Sequence, residues 1–286
     1  MVKIADIELG DFPLLLAPME DVSDPPFRAL CKEQGCDMMY TEFISVEGLI
    51  RDASKSVEKL DIYDYERPIG IQIFGANIES MVKAADIVER ARPEVLDINF
   101  GCPVKKVVCK GAGAGILQDI GIKALSIHGR TRKQMYKGEA DWTLIGRIKD
   151  NPRIFIPIFG NGDIDSPQKA EAYRNRYGVD GIMIGRAAIG NPWIFREIKH
   201  YFATGELLPP PDIDERVDAA RAHLRRSIDW KGPKLGILEM RRHYTNYFRG
   251  LPGVKEYRKT LVSEFEPATL FATLEEMRSV YGEAMV

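Results

Sequence analysis

The chain has 286 residues, of which 45% are hydrophobic and 29% charged, and its net charge at pH 7 is −2. These values are typical of a globular protein with one large and one smaller domain. No segment approaches the ~20 consecutive apolar residues of a membrane span, and the N-terminus lacks the pattern of a signal peptide. We therefore expect a cytoplasmic monomer with no membrane partner.

The four cysteines do not form a paired Cys-x-x-Cys motif; they are Cys31, Cys36, Cys102 and Cys109. A zinc site or a disulfide framework normally requires such regular spacing, so we expect neither. A metal site of another kind is not indicated by any other cluster of ligand residues in the sequence.

Short apolar runs recur along the first two thirds of the chain, and several are followed by a segment with helical spacing. The seven runs are Leu14–Met19, Met38–Phe43, Ile69–Phe74, Val95–Phe100, Ala124–His128, Ile156–Gly160 and Gly181–Gly185. Apolar residues at helical spacing over Glu79–Ala91, and a Ser-Pro start with a Gly178 end over Ser166–Tyr177, predict two of the helices. Alternating strands and helices favour an α/β (β/α)₈ TIM barrel over a Rossmann sheet.

A closed barrel needs eight strands, and the sequence supplies seven. The missing helix and strand would fall near Asp119 and Ile120. Either an internal deletion or a stretch absent from the sequence would account for the missing helix and strand. The unpaired edges of a seven-stranded barrel favour the second explanation.

The composition changes after Leu207, where Pro209-Pro210-Pro211 forms a stiff linker. The four helical patterns beyond it cover Ile213–Trp230, Leu235–Arg249, Val254–Ser263 and Pro267–Tyr281. We therefore predict a barrel domain over residues 1–208 and a helical bundle over 209–286. Between Arg216 and Lys259 there are 12 Lys and Arg against 4 Asp and Glu. Such a block suits a polyanion such as RNA, although a solvated helical surface would have the same composition.

Polar residues cluster directly after the strands, where parallel α/β proteins place their chemistry. Cys102 follows the fourth strand and precedes Lys105, Lys106 and a glycine-rich segment. A small buried hydrophobe is the ordinary interpretation of one cysteine. A thiol beside cations and a glycine loop better suits an anionic substrate.

Six segments occur in an order that resembles the tRNA-dihydrouridine synthases, most closely the bacterial B-type enzymes. They are Ala17-Pro18-Met19, Ile71–Gly75, Asp97–Pro103, Ile127–Arg132, Asn161–Ile164 and Met183–Ala187. The resemblance extends from about Leu14 into the helical C-terminal part. It implies an FMN-dependent (β/α)₈ barrel that uses NADPH to reduce the C5–C6 double bond of a uridine in tRNA.

The resemblance also implies residue roles. Cys102 would donate the proton to C5 of the uracil, where a general acid is needed. The expected cofactor-binding residues are Pro18, Met19, Glu20, Gln72, His128, Asn161, Gly162, Asp163, Gly185 and Arg186. The expected substrate contacts are Asn99, Arg130, Lys105, Lys106, Arg242 and Arg249. A structural role for His128 stays open, and His200, His223 and His243 are expected to be structural or on the surface.

The family usually has a strand ending in Lys-x-Arg before the His-Gly-Arg-Thr-Arg segment, and its lysine contacts the flavin. Here that strand is the missing one. Two other functions therefore stay open: an FMN-barrel oxidoreductase acting on a small pyrimidine or enone, and a non-catalytic RNA-binding protein with a decayed barrel.

Overall fold

The structure, a computed structural model, describes residues 1–99, 121–130, 134 and 137–283. Within these ranges the chain forms a short N-terminal hairpin, a curled parallel sheet with covering helices, and a helical C-terminal region. The strands are β1 (Lys3–Ile4), β2 (Ile7–Glu8), β3 (Leu14–Leu16), β4 (Met38–Tyr40), β5 (Ile44–Ser45), β6 (Ile69–Phe74), β7 (Val95–Ile98), β8 (Leu125–His128), β9 (Ile158–Asn161) and β10 (Gly181–Ile184).

All seven predicted strands are present, and they pair in the order β7-β6-β4-β3-β10-β9-β8. Every pair in this sheet is parallel, and the two-residue β5 pairs with the end of β6. The predicted fold class is confirmed: a (β/α) barrel-type sheet, here curled into a half-barrel, precedes a helical region. In the described part of the chain, no strand joins β7 to β8. The predicted gap at Asp119 and Ile120 lies outside the described residues.

Side chains alternate between the two faces of the sheet, as the pleat requires. The inner face carries Leu15, Met38, Tyr40, Phe159 and Met183, which form one buried cluster together with the N-terminal hairpin. The neighbouring positions on β3, β6, β9 and β10 face outward and pack under the helices; they include Leu14, Leu16, Ile69, Ile158 and Ile182. This alternation leaves inward-facing polar side chains at the carboxyl ends of the strands.

The helices cover the outer face of the sheet and then continue as the helical C-terminal region. They are α1 (Pro25–Glu33), α2 (Val46–Leu49), α3 (Ser54–Glu58), α4 (Ile78–Arg90), α5 (Thr143–Lys149), α6 (Pro167–Tyr177), α7 (Ile194–Thr204), α8 (Ile213–Tyr247), α9 (Lys255–Ser263) and α10 (Pro267–Glu283). Helix α6 begins and ends as predicted: the Ser166 side chain accepts from Lys169 N, and Gly178 ends the helix with a φ of 60°. Helix α8 is broken at Gly232, where φ is 76° and Pro233 follows, which matches the two helices predicted there.

The helical region is joined to the sheet region by packing and by hydrogen bonds from one face of α8. Leu30 and Trp193 are buried in the same cluster as the apolar residues of α8, α9 and α10. His243 Nδ1 accepts from Gly190 N at 3.2 Å, and Asn246 Nδ2 donates to Ile189 O at 2.7 Å. A Cβ on Gly190, whose φ is 59°, would clash with the His243 carbonyl oxygen, so only glycine fits this approach.

Charged side chains reinforce the same junction. Lys231 Nζ lies 3.1 Å from Asp24 Oδ2 and also pairs with Glu239, and Arg226 pairs with Glu33 at 2.6 Å. Part of the basic charge of α8 is therefore used inside the chain and is not available to a partner.

Candidate active site

The predicted site residues that the structure describes lie mostly at the carboxyl ends of β3, β6, β7, β8, β9 and β10. Because these strands are parallel, their carboxyl ends meet at one end of the sheet. The register confirms the proximity: Gln72 is paired with Asp97, and His128 with Asn161. Cys102, Lys105 and Lys106 lie outside the described residues.

Asp163 is the centre of an ion-pair cluster after β9. Its carboxylate accepts from the Arg130 guanidinium, from Arg186 Nη2 at 2.9 Å and from Ala140 N at 2.8 Å. Burial alone would raise the pKa of Asp163, but these hydrogen bonds and the two arginine charges outweigh it and lower the pKa. The carboxylate therefore stays ionised and holds both guanidinium groups in place.

The loop at Gly162 and Asp163, together with Arg130 and Arg186, is called the cradle, and its backbone turns tightly. Gly162 has a φ of 124° and Asp163 a φ of 58°. A Cβ on Gly162 would lie 2.8 Å from the Ala140 Cβ and 3.4 Å from His128 Cε1, so a side chain would crowd this loop. Trp142 Nε1 donates to Gly162 O at 2.9 Å and fixes the loop from below. The glycine is thus required by both conformation and space.

His128 ends strand β8 beside the cradle, and its imidazole ring is neutral. Its Nδ1 accepts from Arg130 N at 2.9 Å, which places the ring proton of the neutral form on Nε2. Part of the ring is exposed to solvent, but burial by the surrounding protein and then the Arg130 charge lower the pKa of His128. His128 therefore offers an Nε2–H donor at neutral pH.

The loop after β3 contacts the turn after β10. Met19 N donates to Ser23 Oγ at 3.0 Å, and that hydroxyl donates to Ala17 O at 2.8 Å. A Cβ on Gly185 would lie 3.6 Å from Met19 Sδ, so the two segments adjoin. Pro18 belongs to this loop and is half-buried. Asn161 also ties neighbouring strands, because its Nδ2 donates to Met183 O at 2.7 Å.

Glu20 directs its carboxylate away from this loop and towards a lysine. Lys59 Nζ lies 2.6 Å from Glu20 and 3.2 Å from Glu42, so one ammonium group lies between two carboxylates. At Glu20, the backbone is therefore the part that could line a cofactor.

Gln72 and Asn99 form a hydrogen-bonded row with a residue that sequence reasoning missed. Asn99 Nδ2 donates to Gln72 Oε1 at 3.0 Å, and Gln72 Nε2 donates to Asp97 Oδ2. Burial raises the pKa of Asp97, and its bond to Gln72 partly offsets this. Sequence reasoning assigned no role to Asp97, although it lies in the segment Asp97–Pro103.

The arginines predicted to contact substrate have partners inside the chain. The Arg130 side chain is only 7% exposed and binds Asp163 and Gly138 O. Arg242 donates to Asp21 O, and Arg249 Nη2 donates to Asn246 Oδ1 at 2.6 Å. Both side chains are exposed, and Arg242 also belongs to the junction between the helical region and the loop after β3. Their contacts with substrate stay predictions.

The geometry defines a class: a parallel α/β barrel-type protein with a cradle of ion-paired side chains around Asp163 and a row of amide side chains at the carboxyl end of its sheet. The family model for dihydrouridine synthases matches residues 15–120 and 114–281. The chain belongs to the dihydrouridine synthase family.

Named relatives agree with this assignment. tRNA-dihydrouridine synthase B of Pseudomonas putida is 38% identical over 289 residues, covering 86% of this chain and 85% of that protein. The Escherichia coli K12 protein of the same name is 35% identical over 290 residues, covering 86% and 90%. A probable tRNA-dihydrouridine synthase of Rickettsia prowazekii is 31% identical over 329 residues, covering 100% and 99%. None of the helices in the described ranges has the length and apolar composition that crossing a bilayer requires.

Proposed function

We propose that this chain reduces uridine to dihydrouridine in tRNA, with FMN as its cofactor and NADPH as the electron donor. Membership of the dihydrouridine synthase family supports the reaction, and the names of the relatives support tRNA as the substrate. The observation that carries the proposal is that the Asp163 ion-pair cluster and the Gln72–Asn99 amide row both lie at the carboxyl end of the same parallel sheet.

The cradle fits the phosphate of FMN. Loops after the last two strands of such barrels commonly bind phosphate. Counted over the described residues, Arg130 and Arg186 carry two positive charges against the one negative charge of Asp163, so this cluster is net positive. The Arg186 guanidinium is half-exposed, and a guanidinium suits a phosphate because it donates charge-assisted hydrogen bonds to phosphate oxygens. Gly162 and Gly185 allow the backbone to approach closely.

Other residues at the carboxyl end of the sheet fit the flavin ring. The loop at Pro18, Met19 and Glu20 would supply backbone and apolar contact. Gln72 and the Nε2–H of His128 would supply hydrogen bonds, since the ring edge carries carbonyl oxygens and nitrogens. Asn161 would keep β9 and β10 in register beneath the cradle.

The reaction adds a hydride at C6 and a proton at C5 of the uracil, so that NADPH and one proton are consumed. Bound FMN supplies the hydride that NADPH provides. Cys102 is assigned the proton to C5, and its thiolate regains a proton from solvent. Cys102 follows Asn99 by three positions in the sequence, and Asn99 directly follows β7, which supports this assignment. Asn99 has an amide suited to hydrogen bonding with the uracil.

The helical region is proposed to bind the sugar–phosphate backbone of tRNA. Arg249 is exposed near the end of α8, and Arg242 lies two turns earlier, beside the loop after β3. Lys105 and Lys106 add charge next to Cys102 in the sequence. Phosphate contacts of this kind give affinity and position but little base specificity. The target uridine would have to leave its stack to reach the end of the sheet.

One observation favours the non-catalytic alternative. The family model matches in two segments that meet at residues 114–120, and the alignment with the Rickettsia protein spans 329 positions against 286 residues here. Loss of a strand with a flavin-contacting lysine would weaken cofactor binding. A chain of this kind could retain RNA binding without catalysis.

The test uses the purified full chain, an unmodified tRNA transcript and NADPH. We expect a yellow protein with a flavin absorbance spectrum, tRNA-dependent oxidation of the reduced flavin, and dihydrouridine in the product. Free uridine in place of tRNA should give no comparable oxidation. A colourless protein that cannot be reconstituted with FMN but binds tRNA would establish the non-catalytic alternative instead.

A further inference from the structure

Asp97, Gln72 and Asn99 form a row across β6 and β7 whose hydrogen-bond polarity is determined at one end. Gln72 and Asp97 are cross-strand partners, and Asn99 N donates to Ile73 O at 2.9 Å, which holds Asn99 beside the same strand. The Gln72 side chain is buried. The row therefore belongs to the sheet and does not depend on a flexible loop.

A carboxylate only accepts hydrogen bonds, whereas an amide can turn over and exchange its oxygen for its nitrogen with little change in shape. Because Asp97 accepts, Gln72 must direct Nε2 towards it. The Gln72 oxygen then lies at the other end, and Asn99 must donate to it through Nδ2. One charge thus determines the orientation of two amides.

Asp97 has no ion-pair partner among the residues that the structure describes. The Asp97 carboxylate accepts a hydrogen bond from the Gln72 amide. The nearby Tyr40 is buried. Burial and then the Asp97 charge raise the pKa of Tyr40, so that phenol stays protonated. A half-buried carboxylate that meets no cation among the described residues costs stability, and an apolar residue would suit the strand better if packing were its purpose.

We propose that Asp97 is a positioning residue that presents the second N–H of Gln72, and not its oxygen, to an acceptor atom on the edge of the bound flavin ring. This inference rests on the proposed function, in which Gln72 contacts the flavin. With the amide reversed, an oxygen would meet the carbonyl and nitrogen acceptors of the ring, and two acceptors would face each other.

The first experiment measures the orientation itself, without cofactor. In the apoprotein, the side-chain amide of Gln72 should give one pair of ¹H–¹⁵N NMR signals, with one proton protected from exchange. Asp97→Asn keeps the shape but can donate or accept, so it should give two sets of signals or lose the protection. The matched control is Asp180→Asn, which removes a carboxylate at the opposite end of β10 that binds Ile158 N and Lys149. It should lower stability and leave the Gln72 signals unchanged.

The second experiment measures the consequence for the cofactor. The exchange variant Gln72→Glu/Asp97→Asn keeps the charge and the shape of the row but reverses its polarity at the ring. We expect its FMN dissociation constant to rise about tenfold to a hundredfold, with an altered flavin absorbance spectrum and a free energy of unfolding close to the parent's. Asp97→Asn alone should raise the dissociation constant only about twofold, since half of its Gln72 amides stay correctly turned.

Unchanged Gln72 signals in Asp97→Asn, or parental FMN affinity and spectrum in the exchange variant, would overturn the inference. A parent protein that binds no FMN would contradict the proposed function and the flavin contact of Gln72 together. The NMR comparison would still decide whether Asp97 orients the two amides, so the two failures are distinguishable.

Discussion

The buried pair His223 and His243 predicts a loss of stability in mild acid. Their ring centroids are 4.4 Å apart, both side chains are almost fully buried, and Phe27 packs against both rings. His223 Nδ1 lies 3.0 Å from the Tyr247 hydroxyl, and His243 Nδ1 accepts from Gly190 N. Burial lowers the pKa of His223 to about 4 and lowers that of His243 well below its usual value.

The direction of the pH dependence follows from the unfolded chain, in which a histidine has a pKa of about 6.5. Below that pH the unfolded state binds more protons than the folded state, so stability falls as the pH is lowered towards the folded pKa. Between pH 7.5 and pH 5 each histidine should cost about 2 kcal/mol of unfolding free energy, and the pair about 4 kcal/mol.

The assay is urea unfolding followed by far-ultraviolet circular dichroism at pH 7.5, 6.5, 5.5 and 5.0. The double variant His223→Asn/His243→Asn keeps an acceptor near each Nδ1 position and should lose this pH dependence. Each single variant should lose about half of it. His200→Asn, on helix α7 and outside the buried pair, is the control and should keep the parental pH dependence. Parental pH dependence in the double variant would refute the reasoning.

Three further predictions concern the proposed reaction. Cys102→Ala should keep FMN and its reduction by NADPH but lower tRNA reduction by about 10²–10⁴-fold, measured as single-turnover flavin oxidation; near-parental rates would remove Cys102 from the reaction. Arg186→Ala should raise the FMN dissociation constant about tenfold to a hundredfold in a titration of apoprotein. The control is Arg174→Ala, which should not raise it, because the Arg174 side chain lies over the rings of Phe12 and Phe202. Arg242→Ala/Arg249→Ala should weaken tRNA binding and flatten the log–log salt slope by about 0.7–0.9 per lost phosphate contact, and an unchanged slope would show that the charge only solvates the helices.

The sequence predicted the repeating architecture well because burial requires it. Parallel strands covered on both faces are continuous apolar runs, and all seven runs became strands. Gly178 and the Gly232-Pro233 pair marked helix ends for local reasons that need no tertiary contact. The N-terminal hairpin β1–β2 was missed, because two-residue strands have too few residues to show a period.

The site was predicted less completely, because its polar side chains find partners across the fold. The contacts of Asp163 with Arg130 and Arg186 join residues that are 33 and 23 positions apart, and no local pattern signals them. Asp97 could have been found. It lies two positions before Asn99, and side chains two apart on a strand share a face. That parity places Asp97 on the same face of the sheet as Asn99, and the register of β6 with β7 then brings it beside Gln72.

The hydrogen bonds from helix α8 to the turn after β10 have a consequence for protein engineering. His243 and Asn246 bind the backbone at Gly190 and Ile189, only three or four residues beyond Arg186 in the cradle. A chimaera that grafts another relative's helices onto this sheet would replace the partners of that turn. The transplanted helices must therefore bring residues 189 and 190 with them, or the cradle loses its support.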